Sequence, residues 1–339
     1  MKTSHHLCTL AFVCASAIGA LAQSNSQVVV TASNTTTNDL LVYDTSGQLL
    51  ATVPTGGAGG VSGNAGGIAS QGGRVAVINF GSQNVSIFTR SDSGFHLEQL
   101  IPCASSPVSV AFGHGHLYIL GATSVESHQA FDFGVNLSSD GISTLLKSDG
   151  SAAQVGVLET QLIVTEKSNA IETVAISGDG AVTGTPTLVS NIPPNVNAPF
   201  GLVTRDDEAY VSIAHSNEIS LVRRDAVITT TGSGTQMAPC WLALDGPWLY
   251  STNPPSHSVS RYLVYGREII QKEAAAASFI GAPTDITYNS GFLGVIDSVG
   301  GISHLSLFHV DADGNLIPQS ISTVTAPING VAVVSGWNE

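Results

Sequence analysis

The sequence predicts an all-β fold, a seven-bladed β-propeller, on the basis of three observations. A motif of apolar strand, polar turn and apolar strand recurs seven times at intervals of 40 to 46 residues. Charged residues make up only 11% of the chain, whereas glycine occurs 36 times, as turn-dense β structures require. The last copy of the motif is incomplete, and the strands that it lacks lie near the N-terminus.

The clearest copy of the motif is Pro239–Val264, which predicts three strands. Cys240–Leu244 is short and apolar, and Asp245-Gly246 after it is a strong hairpin signal. Trp248–Ser251 is the predicted return strand, and Ser258–Val264 alternates polar and apolar residues as a half-buried strand does. One such unit cannot bury its own faces, so its recurrence indicates a ring of packed blades.

The seven copies each start at a small residue or a proline, and six of them have a return strand that aligns with the others. The copies start at Ala65, Pro107, Ala153, Pro199, Pro239, Pro283 and Pro327. The return strands start at Arg74, His116, Gln161, Glu208, Trp248 and Phe292. A period of about 40–50 residues with four strands each is typical of β-propellers. Chance similarity among Gly- and Ser-rich strands does not produce seven matches at near-constant spacing.

The ring is predicted to close by joining the two ends of the chain in one blade. Ala326–Val334 supplies the innermost strand of the last blade. Gln27–Thr31, Leu40–Tyr43 and Gln48–Val53 supply its other three strands. This arrangement removes two exposed sheet edges and requires seven blades.

The first 22 residues are predicted to be a secretory signal peptide. A basic start at Lys2, an apolar run over Leu7–Ile18 and the small-residue site Ala20-Leu21-Ala22 form that pattern. The run is shorter than the about 18–20 residues that a transmembrane helix needs. Residues 23–339 are then expected to form a single propeller domain that is secreted to the extracellular space. A closed ring has no free strand edge, so we expect a monomer.

The net charge bears on the classes of partner, and the sequons and cysteines bear on covalent modification. The formal net charge of −14 argues against nucleic acid or an anionic membrane, because binding phosphates requires clustered Lys and Arg. Glycosylation sequons start at Asn34, Asn84 and Asn136, which predicts a glycoprotein if the chain is exported. Cys103 and Cys240 fall on opposite sides of the predicted ring, so we expect two separate thiols rather than a disulfide.

Two kinds of loop are expected on one face of the ring, the loops before the innermost strands and those after the second strands. Polar residues at those places would converge on one mouth of the central channel. The predicted substrate-binding residues there are Asn79, Gln154, Cys240, Trp241, Asn253 and Asp285. The predicted catalytic residues are Glu166, Lys167, His215 and Asp297.

Glu166 is the strongest catalytic candidate because it ends the apolar strand Leu162–Thr165, where partial burial would raise its pKa toward the range of a general acid or base. Lys167 or a loop histidine, His215 or His128, would stabilise a developing oxyanion. The alternative is that Glu166 and Lys167 form a solvated pair at a strand end.

The other candidates also have two interpretations. Cys240 beside Trp241 is either a nucleophile next to a stacking surface or a small apolar residue that fills space. Asp285 and Asp297 have the oxygen donors to bind a cation together with Asn79 and Asn253, but they lie in different blades and their spacing does not establish a metal site, so none is assigned. The chain contains no Ser nucleophile elbow, Walker loop or dinucleotide fingerprint, so no cofactor is expected.

The repeats resemble the secreted or periplasmic lactonase-like seven-bladed propellers, which are related to 3-carboxy-cis,cis-muconate lactonising enzyme (a cyclase) and 6-phosphogluconolactonase. The resemblance runs from about Asn64 to Val334. The stretches that carry it are Pro107-Val-Ser-Val-Ala, Leu162–Lys167, Ala198-Pro-Phe-Gly201, Ala238–Trp241, Leu249–Asn253 and Ala282-Pro-Thr-Asp285. Enzymes of that family use a Glu, a His and Arg residues for anionic substrates. Glu166 is the matching position here, and the family's Pro-His pair is absent.

The resemblance implies a cofactor-independent enzyme that acts on a small lactone or unsaturated organic acid by hydrolysis, cyclisation or isomerisation. Its acid/base residues would lie at the channel mouth. The alternative from a different class is a non-catalytic secreted propeller that binds glycans or proteins, as an adhesin does. A recessed funnel in which Glu166 faces a second titratable group favours the enzyme, and a closed, flat face favours the binding protein.

Overall fold

We describe the protein from a computed structural model, which covers residues 27–131, 134–190 and 197–335. The predicted signal peptide, residues 1–22, lies outside the described residues. The described chain forms seven antiparallel sheets with four strands each along the main path of every sheet. The predicted all-β, seven-bladed propeller is therefore confirmed.

The strands are numbered along the chain. The first twelve are β1 (Val28–Ala32), β2 (Asp39–Asp44), β3 (Leu49–Pro54), β4 (Ile68–Gln71), β5 (Arg74–Asn79), β6 (Asn84–Ser91), β7 (Gly94–Pro102), β8 (Pro107–Gly113), β9 (His116–Gly121), β10 (Ser124–Phe131), β11 (Gly134–Val135) and β12 (Gly141–Thr144). The next eight are β13 (Ala152–Val157), β14 (Gln161–Glu166), β15 (Ala170–Ala175), β16 (Thr187–Leu188), β17 (Pro199–Arg205), β18 (Glu208–Ile213), β19 (Glu218–Arg223) and β20 (Ala226–Gly232). The last nine are β21 (Leu242–Asp245), β22 (Trp248–Asn253), β23 (Ser258–Tyr265), β24 (Glu268–Ser278), β25 (Ala282–Asn289), β26 (Phe292–Val299), β27 (Ile302–Val310), β28 (Leu316–Val324) and β29 (Asn329–Val334). Three short 3₁₀ helices span Phe80–Ser82, Ala214–Ser216 and Pro254–Ser256.

Each blade runs from an innermost to an outermost strand. Blades 1 to 6 are β4–β7, β8–β12, β13–β16, β17–β20, β21–β24 and β25–β28. Blade 7 has the order β29-β1-β2-β3, with β29 antiparallel to β1 and Ala332 opposite Val30. The two chain ends therefore share one blade, as the sequence predicted.

Apolar residues run continuously through the second strands because both faces of each blade are covered by neighbouring blades. Along β5, Val75 and Val77 pack toward blade 7, whereas Ala76 and Ile78 pack toward blade 2. All four side chains are buried. The hydrophobic core is therefore a series of layers between adjacent blades, and it holds the ring closed.

Two sequence expectations about covalent chemistry can be compared with the structure. Cys103 and Cys240 are both free thiols, so the prediction of two separate thiols is confirmed. Of the sequon residues, Asn136 is exposed, whereas the Asn34 side-chain Oδ1 accepts hydrogen bonds from the backbone amides of Gly60 and Val61 at 2.7 and 3.1 Å.

Within the described residues, no helix has the length and apolar character needed to cross a membrane.

Candidate functional site

The seven innermost strands surround a central channel with a volume of about 420 Å³. Its lining is mostly small or aliphatic, with a few polar side chains. The polar members are Ser70, Gln154, Thr204, Asp285, Thr287 and Tyr288. The volume lies in the range of roughly 300–1,000 Å³ that small-molecule sites occupy.

The channel is closed on the face where the innermost strands begin. The Trp241 indole N–H from blade 5 donates to the Asn64 carbonyl at 2.9 Å, and the Ala65 amide donates to the Ala153 carbonyl of blade 3 at 3.1 Å. Phe200 packs edge-on against Trp241, with ring centroids 4.9 Å apart. Ala65 belongs to a glycine-rich connection between β3 and β4, which reaches blades across the ring. This connection therefore closes the channel at the loop face.

The channel opens on the opposite face, where hairpin turns join the first and second strands. Innermost residues near the loop face, such as Ala153 and Phe200, are buried. Residues at the other ends of the innermost strands, such as Phe112, Thr204 and Tyr288, are partly exposed and line the channel. The mouth was predicted on the loop face. The structure differs because the 13-residue segment 55–67 folds inward over that face.

Two of the predicted substrate-binding residues, Gln154 and Asp285, line the channel on different strands. The Gln154 Oε1 accepts the backbone N–H of Leu202 on the next innermost strand at 2.7 Å. Asp285 occupies the same place in blade 6, where its Oδ1 accepts the N–H of Ile286 at 2.8 Å. Both side chains follow a register shift in their strands, which turns them toward the axis.

Asp285 is the one ionisable carboxyl group among the channel-lining residues of the described chain. Its side chain is buried, and that burial raises its pKa to about 7, although backbone N–H groups of Ile286, Gly330 and Val331 favour the charged form. A carboxyl group with a pKa near the working pH is suited to both accepting and releasing a proton. Asp285 was predicted to bind substrate, and a buried carboxyl group with a raised pKa is also of the kind that acid/base chemistry uses.

Trp241 also lines the channel, and Cys240 packs with it in the cluster that closes the loop face. The Cys240 carbonyl accepts the Gly201 N–H at 2.9 Å and the Ser212 hydroxyl at 2.6 Å. Burial raises the pKa of the Cys240 thiol to about 12, which keeps it in the neutral, weakly nucleophilic form. The space-filling interpretation of Cys240 is therefore the one that this geometry favours.

Four of the predicted residues share one position, the sixth residue of a second strand, and all four are buried. They are Asn79, Glu166, Asn253 and Asp297. Each side chain has a polar neighbour on the third strand of its own blade. The Asn79 amide donates to Ser86 at 2.7 Å, the Asn253 amide to Ser260 at 2.9 Å, and Asp297 lies 3.1 Å from His304. In blades 1, 5 and 6 this repeated pair links the second strand to the third.

In blade 3 the repeated pair consists of two carboxyl groups, Glu166 and Glu172. Both side chains are fully buried, and they lie on the same sheet face because Val164 is directly opposite Glu172. Both oxygens of Glu172 accept the Leu146 N–H, at 3.0 and 3.2 Å, whereas Glu166 lies beside the Glu172 carboxyl group. Burial first, and then the adjacent Glu172 carboxyl group, raises the pKa of Glu166 well above its usual range. Both effects favour the protonated form of Glu166 in the folded protein.

Replacing Glu166 with glutamine should make folding stability less dependent on pH. A carboxyl group whose pKa is raised by folding supports the folded state fully below its unfolded pKa of about 4.3. That contribution is lost as the pH rises from there toward the folded pKa. We therefore expect Glu166→Gln to gain stability relative to the parent between pH 5 and pH 9 in urea unfolding. Glu159→Gln, at an exposed site, serves as the control. Parallel stability profiles for parent and Glu166→Gln would contradict this account.

Lys167 and His215 lie on the loop face, outside the channel. The Lys167 ammonium donates to the carbonyls of Gly63 and Ala152 at 2.5 and 3.3 Å, and burial lowers its pKa. It also lies 5.9 Å from the ring centroid of Phe200. Because Gly63 belongs to the glycine-rich connection, the bond from Lys167 helps to hold that connection over the channel. His215 is exposed in the short helix after β18.

The structure thus brings together Gln154, Trp241 and Asp285 among the ten predicted site residues. Sequence reasoning missed Thr287 and Tyr288, which follow Asp285 on β25 and face the open end of the channel. Burial and the neighbouring Asp245 raise the pKa of the Tyr288 hydroxyl. The signal is the sequence Asp285-Ile-Thr-Tyr288, but Thr287 and Tyr288 lie toward the face opposite the one where the mouth was predicted. Among the described residues, no group of three or more His, Cys, Asp or Glu side chains is placed to hold a metal ion.

Comparison with known proteins gives structural but not sequence matches. No family model matches the sequence, and no curated protein matches it. A putative 6-phosphogluconolactonase from Bacteroides fragilis superposes with a TM-score of 0.60 at 13% identity, covering 89% of this chain and 99% of that one. The chain has the fold of the lactonase-like seven-bladed propellers. The periplasmic gluconolactonase of Pseudomonas aeruginosa gives a TM-score of 0.63 at 13% identity, covering 92% of this chain and 99% of that one.

A third solved structure limits what the fold alone implies. A functionally unknown protein from Desulfotomaculum acetoxidans gives a TM-score of 0.69 at 12% identity, covering 92% of this chain and 99% of that one. The sequence-based resemblance to lactonase-like propellers is thus confirmed at the level of the fold. The fold alone does not identify an activity, which depends on the residues that line the channel.

Proposed function

We propose that this protein is a cofactor-independent enzyme that hydrolyses a small lactone in the central channel, with Asp285 as the acid/base group. The observation that carries the proposal is a buried carboxyl group with a pKa of about 7 in a 420 Å³ channel that opens to solvent. Two solved structures with the same fold are described as lactonases, which supports this class of reaction.

In the proposed reaction, the Asp285 carboxylate accepts a proton from water as that water attacks the lactone carbonyl carbon. The ring C–O bond breaks, and Asp285 returns the proton to the leaving alkoxide, so the net change is addition of one water. The Gln154 amide Nε2 donates to the developing oxyanion, because its Oε1 is already held by the Leu202 N–H at 2.7 Å. The indole of Trp241 forms an apolar surface beneath the ligand.

Hydrolysis fits this channel better than cyclisation or isomerisation. Water is a reactant in hydrolysis but in neither cyclisation nor isomerisation. Thr204 and Tyr288 at the open end are partly exposed, so water has access to the channel. The sequence-based assignment of Glu166, Lys167, His215 and Asp297 as catalytic residues stays a prediction.

Filling the channel should lower turnover strongly without unfolding the protein. Ala111 lines the channel and is partly exposed, so Ala111→Trp places a large side chain in the proposed binding volume. We expect kcat/KM for the best substrate of a lactone panel, measured by proton release, to fall at least about tenfold. Ala275→Trp on the exposed face of β24 is the matched control. Equal turnover by both variants, with unchanged unfolding midpoints, would place the reaction outside the channel.

One observation favours the alternative function, a non-catalytic secreted propeller that binds glycans or proteins. The loop face is closed by segment 55–67, and a closed face was the feature expected of a binding protein. The lactone panel separates the two functions, because a binding protein produces no proton release with any lactone. Export of the chain also stays a proposal, which rests on the predicted signal peptide and is supported by the similarity to a periplasmic protein.

A further inference from the structure

We infer that the substrate of the channel is an uncharged, hydroxyl-bearing lactone rather than a phosphorylated or carboxylated one. This inference rests on the proposed function and names its substrate class. The channel-lining residues of the described chain include no Lys, Arg or His. An anionic ligand would lose its hydration in the channel without gaining a cationic partner, which is unfavourable.

The existing charges make an anion still less favourable. Asp285 is the one ionisable carboxyl group of the lining, and its charged form repels a second negative charge. Arg205 directly follows the channel-lining Thr204 on β17, and its guanidinium already has protein partners. Its guanidinium contacts Glu208 at 3.2 Å, the Tyr210 hydroxyl at 2.9 Å and the Gly246 carbonyl at 3.1 Å. A phosphate group would have to compete with Glu208 for it.

The same lining suits hydroxyl groups. Each innermost strand is the inner edge of its sheet, so its channel-side edge has no strand partner within the blade. Some of these edge groups are already bonded to groups outside their own blade, such as the Leu202 and Val110 N–H groups. The rest of such an edge offers N–H donors and carbonyl acceptors, and a hydroxyl group satisfies either of them. Thr204 and Thr287 add two hydroxyl groups near the open end. Carbonyl acceptors repel an anion, whereas the hydroxyl groups of a neutral ring accept from the N–H groups and donate to the carbonyl groups.

A matched ligand pair tests this inference. Glucono-δ-lactam is a stable, uncharged analogue of a sugar lactone, and its 6-phosphate differs only by the anionic group. We expect calorimetry to show binding of the neutral lactam and at least about tenfold weaker binding of the phosphate. Tighter binding of the phosphate would overturn the inference while leaving lactone hydrolysis in place. Binding of neither analogue would overturn it too, and the lactone panel would then show separately whether hydrolysis itself fails.

A charge-introducing variant extends the test. Thr287→Lys places a cation in the channel lining, so it should improve binding of the 6-phosphate at least about tenfold at low salt. Thr323→Lys adds the same charge on the exposed outer strand β28 and should change neither affinity. Equal gains in the two variants would mean that overall charge, rather than the channel, selects the ligand, and that result would contradict the inference.

Discussion

Asp285→Asn is expected to lower kcat/KM for the best lactone by about 10²–10⁴-fold, the usual loss when a positioned general base is removed. Asparagine keeps the shape of the side chain and still accepts the Ile286 N–H through its Oδ1. The protein should therefore remain folded under the assay conditions. The measurement is initial-rate proton release together with urea unfolding of the same preparations.

The pH dependence makes this prediction more specific. A general base acts in its deprotonated form, so the parent rate should rise about tenfold per pH unit below the Asp285 pKa of about 7 and level off above it. Asp285→Asn should show a flat profile at its residual rate. Glu166→Gln is the informative comparison, because the sequence-based assignment predicts a similar loss for that variant. If Glu166→Gln lost kcat/KM to this extent while Asp285→Asn kept normal turnover, the catalytic group would be Glu166 in blade 3 and not Asp285 in the channel.

The fold could be predicted closely because blade strands are local and repetitive. The six predicted return strands begin at the residues where β5, β9, β14, β18, β22 and β26 begin. Their apolar runs are unmistakable, since both faces of each blade are buried. The hairpin at Asp245-Gly246 was also found, because a glycine with positive φ is a strong local signal.

The site was predicted only in part because it depends on long-range contacts. Blade topology correctly placed Gln154 and Asp285 at the starts of innermost strands. It did not reveal that the Asn64 carbonyl would meet Trp241, 177 residues away, and close that face. Glu166 illustrates the same difficulty. Its position at a strand end suggested a solvent-facing mouth, whereas the adjacent blades bury it against Glu172.

Removal of residues 327–339 is expected to abolish folding rather than to shorten a tail. The deletion removes β29, whose Val331, Val333 and Val334 are all buried. Burial of a valine side chain contributes at least about 1.5 kcal/mol, and the whole domain is expected to have only about 5–15 kcal/mol of stability. The deletion also leaves β1 as an open edge between blades 6 and 1, which invites pairing with other chains.

The truncated protein should therefore lack a cooperative thermal transition and elute as aggregates, as followed by circular dichroism and size-exclusion chromatography. Removal of residues 336–339 alone keeps β29 and is the matched control. A second arm adds the peptide 327–335 to the truncated chain. Recovery of a cooperative transition with the peptide would tie the defect to the missing strand, because β29 is held to β1 by pairing and packing, not by chain connectivity. A truncated protein that melts within a few degrees of the parent would refute closure by the two chain ends.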